Sequence, residues 1–347
     1  MAKFKIVTPE GMSFSTTAGG YDYEMEALAG LDVEIVEVPA TEEGFIKGAA
    51  DADAIYAKGM SFNAKMIGAL KNCRGIILGT VGVDYVDVAA ATAAGIPVTN
   101  CPDTFIEEVA DHAMMLLLSG HRRVIEQDRL VREGRWREGR TPLLQHPRLM
   151  GSTLGFIAFG HVARAVALRA RPFGLRMLGY DPFIEELVMP PYGVEPSTFE
   201  DMLKNSDFVT MHAPATPEAR GMMVEKHFRM MKPTAWFINT GRGHTVDEAA
   251  LITALQQKWI AGASLDVLAQ EPPRQDNPLL QMDNVILSAH TASASARFDP
   301  ARKRRVGQEL ALVLGGRWPM SCVNPTVLPK SELRRWQPFS MERGPNS

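Results

Sequence analysis

Short apolar runs of strand character alternate with helical patterns along nearly the whole chain, and that alternation admits few folds. Residues 5–7, 33–36, 54–56 and 75–78 read as strands, and 64–70 reads as a helix between the last two. A fresh β-α series starts at Thr153 and runs to His290. Strands alternating with helices predict parallel sheets with helices on both faces, the α/β class. With 347 residues there is room for two such domains.

The pattern changes near Asn100-Cys101-Pro102-Asp103. A long helical pattern follows from Thr104, whose side chain is placed to form a capping box with Glu107. Met114-Met115-Leu116-Leu117-Leu118 is the expected core of that helix, and an arginine-rich stretch over 129–140 with Trp136 inside it comes next. Another helical pattern covers 297–314. The simplest organisation is a nucleotide domain over 102–296, inserted into a first domain built from 1–101 and 297–330. Residues 331–347 are expected to be a flexible tail. The cleft between two such domains is the expected place for a site.

Composition excludes several classes. The net charge of −3 offers no general attraction to nucleic acid or to an anionic membrane. Cys73, Cys101 and Cys322 form no Cys-x-x-Cys pair, and an odd count argues against a disulfide framework. No stretch has the ~18 apolar residues of a spanning helix. The first seven residues turn polar too soon for a signal sequence. A cytoplasmic protein is expected, with no metal site.

Thr153 to Ala163 reads as strand, tight turn and helix. Against the dinucleotide fingerprint G-x-G-x-x-G/A, it runs Ala158-x-Gly160-x-x-Ala163, so the first glycine is replaced. Gly160 is where a missing side chain lets backbone approach a pyrophosphate, which helix-terminal N–H groups then hold. The next strand ends in Asp181, where a ribose-binding acid belongs. Pro182 and Phe183 follow, not arginine, so the pattern favours NAD over NADP.

Three later loops carry chemistry. Arg242, Glu271 and His290 each follow an apolar run, over 236–239, 263–267 and 285–288. Ligands of parallel sheets bind at the carboxyl ends of strands. These loops therefore bring a cation, a carboxylate and an imidazole to one crevice, a set suited to proton transfer beside an anionic substrate.

Four ordered blocks now make the chain resemble the D-isomer-specific 2-hydroxyacid dehydrogenases over residues 5–324. They are Gly82-Val83-Asp84-Tyr85-Val86-Asp87, the turn at 153–163, Asn239-Thr240-Gly241-Arg242-Gly243, and Leu265-Asp266-Val267 through Glu271-Pro272-Pro273, followed by His290. The resemblance implies two Rossmann-like or flavodoxin-like domains, with the NAD-binding domain inserted into the substrate domain. It implies reversible hydride transfer between nicotinamide and a 2-oxo acid, with His290 as proton donor, Glu271 behind it and Arg242 on the substrate carboxylate. Lys58, Gly59 and the amides of Val81 and Gly82 would complete the substrate side. NAD would be contacted by Thr104, Gly160, His161, Val162, Asp181, His212, Ala213, Pro214, Thr240, Gly241, Asp266 and His290. A homodimer through the NAD-binding domain is also implied.

Departures from the family pattern fall at Ala158, Thr80, Tyr85 and Lys58. Lys58 suits a second anionic group on the substrate, whereas Met60 and Phe62 suit an apolar one. Two other readings share the scaffold. The C-terminal-binding corepressors are NAD(H)-dependent regulatory modules that carry a tryptophan just beyond the histidine; here no aromatic follows until Phe298. Formate enzymes have an extended N-terminus and a glutamine ahead of the histidine; here Ser288-Ala289 precedes it. His112, His121, His146, His227 and His244 receive no role, and Arg302-Lys303-Arg304-Arg305 is expected to be a solvated helix face.

Overall fold

β1 (Phe4–Pro9) lies between β2 (Val33–Val38) and β3 (Ala54–Tyr56), and β4 (Ile76–Ile77) and β5 (Val98–Thr99) extend the sheet, all in parallel. The order is β2-β1-β3-β4-β5. The computed structural model describes residues 3–11 and 20–336. Residues up to Thr104 and from Ala296 onward form one compact unit; Phe105–Ser295 form another.

The second unit holds a seven-stranded parallel sheet. Its strands are β6 (Thr153–Ile157), β7 (Arg176–Tyr180), β8 (Glu195–Pro196), β9 (Phe208–Met211), β10 (Trp236–Asn239), β11 (Gly262–Leu265) and β12 (Val285–Leu287). They run in the order β12-β11-β10-β9-β6-β7-β8. Every residue of β6, β9, β10 and β11 is buried, as strands with both faces covered must be. Two hydrophobic clusters complete the core: Met202, Leu203, Phe228 and Leu251 belong to one, Leu116, Leu117, Phe156 and Val166 to the other. Strand order reverses between β1 and β3 in the first sheet and between β6 and β9 in the second. Such switch points open a crevice at the carboxyl ends of the strands.

Two local expectations fail. The helix Ile106–Arg122 begins after Phe105, without a side-chain cap. The Thr104 hydroxyl donates back to the Cys101 carbonyl (3.4 Å), and Glu107 pairs with Arg169 at 2.5 Å. A guanidinium is a stronger partner for that carboxylate than a neutral backbone N–H. The basic run is not a solvated face either. Arg302 and Lys303 are buried on the helix Phe298–Leu314, and only Arg304 is well exposed, paired with Glu26. Arg302 reaches Asp299 at 2.7 Å and donates to the Tyr56 hydroxyl at 3.1 Å.

Arg334 and Trp336, inside the expected tail, are anchored: the Arg334 N–H donates to the Gly316 carbonyl, and the Trp336 indole to that of Trp318. The rest of that tail, residues 337–347, lies outside the described residues. Burial pushes the Cys73 and Cys101 thiols up to about 12, so both are inert at neutral pH.

Candidate active site

Arg242, Glu271 and His290 stand in the loops after β10, β11 and β12, at one edge of the second sheet. The His290 Nδ1 lies 2.6 Å from the Glu271 Oε2, while the other oxygen of Glu271 accepts from the Leu268 N–H at 3.0 Å. The carboxylate is thereby fixed from both sides. The hydrogen bond to Glu271 holds the His290 pKa above its ordinary 6.5, against the opposing effects of burial and of Arg242. Burial pushes the Glu271 carboxyl up, but His290, the Leu268 N–H and the Arg242 charge together bring it below the usual range. The arrangement favours an imidazolium–carboxylate pair, in which Nε2 is the ring nitrogen not engaged by Glu271.

The Arg242 loop is seated tightly. A Cβ on Gly243 would lie 1.9 Å from the Leu268 carbonyl oxygen, so only glycine lets this backbone approach the 268–271 loop. Asn239 Nδ2 and the Thr245 hydroxyl both donate to the Arg242 carbonyl, at 3.1 and 2.6 Å.

His290 itself has φ +52, a left-handed backbone that a residue with a Cβ adopts at a cost of about 1–2 kcal/mol. Asp266 holds it there. The buried Asp266 carboxylate accepts from the Ser288 hydroxyl (2.6 Å) and from the N–H groups of Thr291 (2.9 Å) and Ala292 (3.0 Å). Its carbonyl accepts from the His290 N–H at 2.8 Å. His112, a residue with no role expected from its sequence context, sits 2.9 Å from the Ser288 hydroxyl and 3.4 Å from Asp266. It buttresses the same loop, from 176 residues away, with no local motif to announce it.

The nucleotide turn joins β6 to the helix His161–Ala170. Gly160 is the N-cap of this helix and no side chain caps it. Nothing lies within 4 Å of where a Gly160 Cβ would be. The protein itself therefore does not require glycine here, whereas an approaching pyrophosphate would. His161 is exposed at the first helical position, with Val162 next to it. Ala158 adopts φ +64, the conformation for which glycine is ordinarily used. Asp181 follows β7; its two oxygens accept from the N–H groups of Phe159 (2.8 Å) and Phe183 (2.9 Å). The open glycine, the uncapped helix start and this acid fit a dinucleotide.

His212, Ala213 and Pro214 follow β9, and Thr240 and Gly241 follow β10. Burial pushes the His212 imidazole down to about 4, and its ring nitrogens lie 3.0 Å from the Thr210 hydroxyl and 3.5 Å from that of Thr240. It stays neutral at physiological pH and carries no exchangeable charge.

In the first unit Lys58 and Gly59 follow β3, with φ +26 and +84. Lys58 Nζ donates to the Tyr21 hydroxyl at 2.7 Å and pairs with Glu37 at 3.3 Å; Tyr21 donates to the same carboxylate. Met60 and Phe62 are buried in the core. Val81 and Gly82 follow β4, with Val81 exposed. Thr104 ends the first of this unit's two segments.

The family model for the D-isomer specific 2-hydroxyacid dehydrogenase, NAD binding domain, matches residues 114–292. The chain belongs to the D-isomer-specific 2-hydroxyacid dehydrogenases. This dehydrogenase is 40% identical over 305 residues to a glyoxylate reductase of Korarchaeum cryptofilum, covering 86% of this chain and 90% of the relative. It is 34% identical to a D-3-phosphoglycerate dehydrogenase of Methanocaldococcus jannaschii, over 92% of this chain and 59% of that one. The NADPH-dependent glyoxylate/hydroxypyruvate reductase of Sinorhizobium meliloti, solved with NADP and malonate, superposes with a TM-score of 0.80 at 31% identity, covering 95% of this chain and 99% of the other. The dehydrogenase is thus an NAD(P)-dependent oxidoreductase of 2-hydroxy acids. Among the described residues no helix is long and apolar enough to cross a membrane.

Proposed function

We propose that this dehydrogenase reduces a short, singly charged 2-oxo acid, of the glyoxylate or hydroxypyruvate kind, with NADH. The observation that carries the reading is the 2.6 Å His290–Glu271 pair beside Arg242 at the carboxyl edge of a parallel sheet. When bound beside this site, NADH would supply the hydride that reduces C2. His290 donates its Nε2 proton to the oxygen as the hydride arrives, Glu271 keeps the imidazole charged and oriented, and Arg242 holds the acid through its planar fork. The amides of Val81 and Gly82 cradle the carboxylate. Gly160 and the start of its helix hold the pyrophosphate, and Asp181 accepts from the ribose hydroxyls and repels a 2′-phosphate. The remaining cofactor contacts are Thr104, His161, Val162, His212, Ala213, Pro214, Thr240 and Gly241. Asp266 acts through the loop it braces.

Lys58 narrows the substrate. Its ammonium is already matched by Glu37 and Tyr21, so a second anion would have to compete with a carboxylate at 3.3 Å. Glyoxylate and hydroxypyruvate are therefore expected to give the highest kcat/KM with NADH, well above 3-phosphohydroxypyruvate and above the same acids with NADPH. NADH oxidation across that panel tests the reading; a preference for the phosphorylated acid, or no turnover at all, would sink it.

We also propose that two copies pair through the unit that binds NAD. Val124, Ile125, Val131, Trp136 and Leu144 are exposed apolar side chains along 124–144, a face typical of an interface. Sedimentation at micromolar concentration is expected to give a dimer, and a monomer would exclude the pairing.

A further inference from the structure

The loop after β4 has an unusual economy of hydrogen bonds. Four successive carbonyls, from Thr80 to Val83, are all engaged within the protein. That of Thr80 accepts from the Cys101 N–H (2.8 Å), that of Val81 from Asn100 Nδ2 (2.7 Å), that of Gly82 from the Thr80 hydroxyl (2.7 Å) and that of Val83 from the Val86 N–H (3.1 Å). The N–H groups of Val81, Gly82 and Val83, by contrast, donate to no described residue. Backbone N–H groups are strong donors, and leaving several unmatched in one ordered loop is costly unless water or a ligand receives them. Carbonyls engaged within the protein and amides left over make a group of donors suited to an anion.

Two side chains enforce this polarity. Thr80 ties down the Gly82 carbonyl, and Asn100 ties down that of Val81. Asn100 is in turn fixed from behind, because its carbonyl accepts from the Ser321 hydroxyl at 2.6 Å. That hydroxyl lies 3.0 Å from the buried carboxylate of Glu309, which Arg305 meets at 3.2 Å and the Met320 N–H at 3.0 Å. The brace therefore runs from the loop to the helix Phe298–Leu314. A glycine at position 80 could not make the first of these bonds.

We propose that Thr80 and Asn100 are positioning residues of the substrate site: they turn the 81–82 carbonyls away so that the amides of the same loop face the carboxylate of the oxo acid. The inference rests on the cradle role given to Val81 and Gly82 above. Losing an interaction made equally in ground and transition states raises KM without lowering kcat. Removing one hydrogen bond of this kind changes affinity by about 3–10-fold.

The test compares Thr80→Val, which keeps the shape and loses the hydroxyl, with Thr80→Ser, which keeps the hydroxyl. Asn100→Asp, which cannot donate to the Val81 carbonyl, is the independent second variant should Thr80→Val not fold. Calorimetry with oxamate, a carboxylate that cannot be reduced, is run on the NADH-loaded protein, and KM and kcat for glyoxylate are measured on the same preparations. Thr80→Val and Asn100→Asp are expected to weaken oxamate and raise KM by about 3–10-fold, with kcat within about twofold of the parent, while Thr80→Ser restores parental values. Variants with unchanged oxamate affinity and KM, in an enzyme that turns over glyoxylate, overturn the positioning role and leave the proposed reaction standing. A parent protein that neither binds oxamate nor turns over any oxo acid removes both.

Discussion

His290→Gln is expected to lower kcat by about 10²–10⁴-fold, the usual worth of one positioned acid or base. Glutamine can still hydrogen-bond to Glu271, but it has no proton to give to the developing alkoxide. NADH affinity should change little, because the turn at Gly160 and Asp181 lies on other strands. A His290→Gln enzyme with parental turnover would refute the assignment. The same pair fixes the pH profile. The His290 pKa stands above 6.5 because of Glu271, and reduction needs the imidazolium. The rate of reduction is therefore full at low pH within the stable range and is lost as pH rises through that raised value. Glu271→Gln removes the main raising partner and leaves burial and Arg242, which lower it, opposed only by the smaller raising effect of Asp266. The alkaline limb should then move to lower pH by about 1–3 units, as loss of an adjacent opposite charge implies. An unmoved limb would mean that another group titrates.

Arg242→Lys should cost about 10–150-fold in kcat/KM for the oxo acid. That range corresponds to roughly 1.5–3 kcal/mol for a hydrogen bond to a charged group. Lysine keeps the positive charge but loses the planar pair of donors that matches a carboxylate and the neighbouring carbonyl. Arg242 lowers the pKa of both Glu271 and His290, and a lysine ammonium does the same. The alkaline limb should therefore stay in place while kcat/KM falls. That combination separates lost geometry from lost charge. Parental kcat/KM in the lysine variant would show that a point charge suffices there.

Much of this was legible because chemistry and fold use the same punctuation. Each apolar run that forms a strand stops where its loop begins, so Arg242, Glu271 and His290 could be placed on one sheet edge from sequence alone. Runs too short or too polar left no such mark: β8, Glu195–Pro196, is two exposed residues paired with its neighbour β7. Long-range partners were invisible as well. No spacing announces that His112 meets Ser288, or that Asn100 meets both Val81 and Ser321. Thr104 followed by Glu107 matches a capping box in sequence, but Arg169, 62 positions away, takes the glutamate. Arg302 to Arg305 read as a solvated face because four adjacent cations normally seek water. Asp299, one helical turn earlier, was the local hint that one of them had a partner inside.

Asp181 has a consequence for anyone wishing to redirect this dehydrogenase to the phosphorylated coenzyme. The obvious edit removes the carboxylate proposed to repel a 2′-phosphate, yet that carboxylate is also the splice that joins two stretches of backbone, receiving the Phe159 amide of the turn after β6 and the Phe183 amide of the following loop. Deleting it trades one form of selectivity for slack in the turn that every dinucleotide must use. A workable redesign has to leave an acceptor at that spot and place its new positive charge further along the loop, among the exposed residues beyond Pro182.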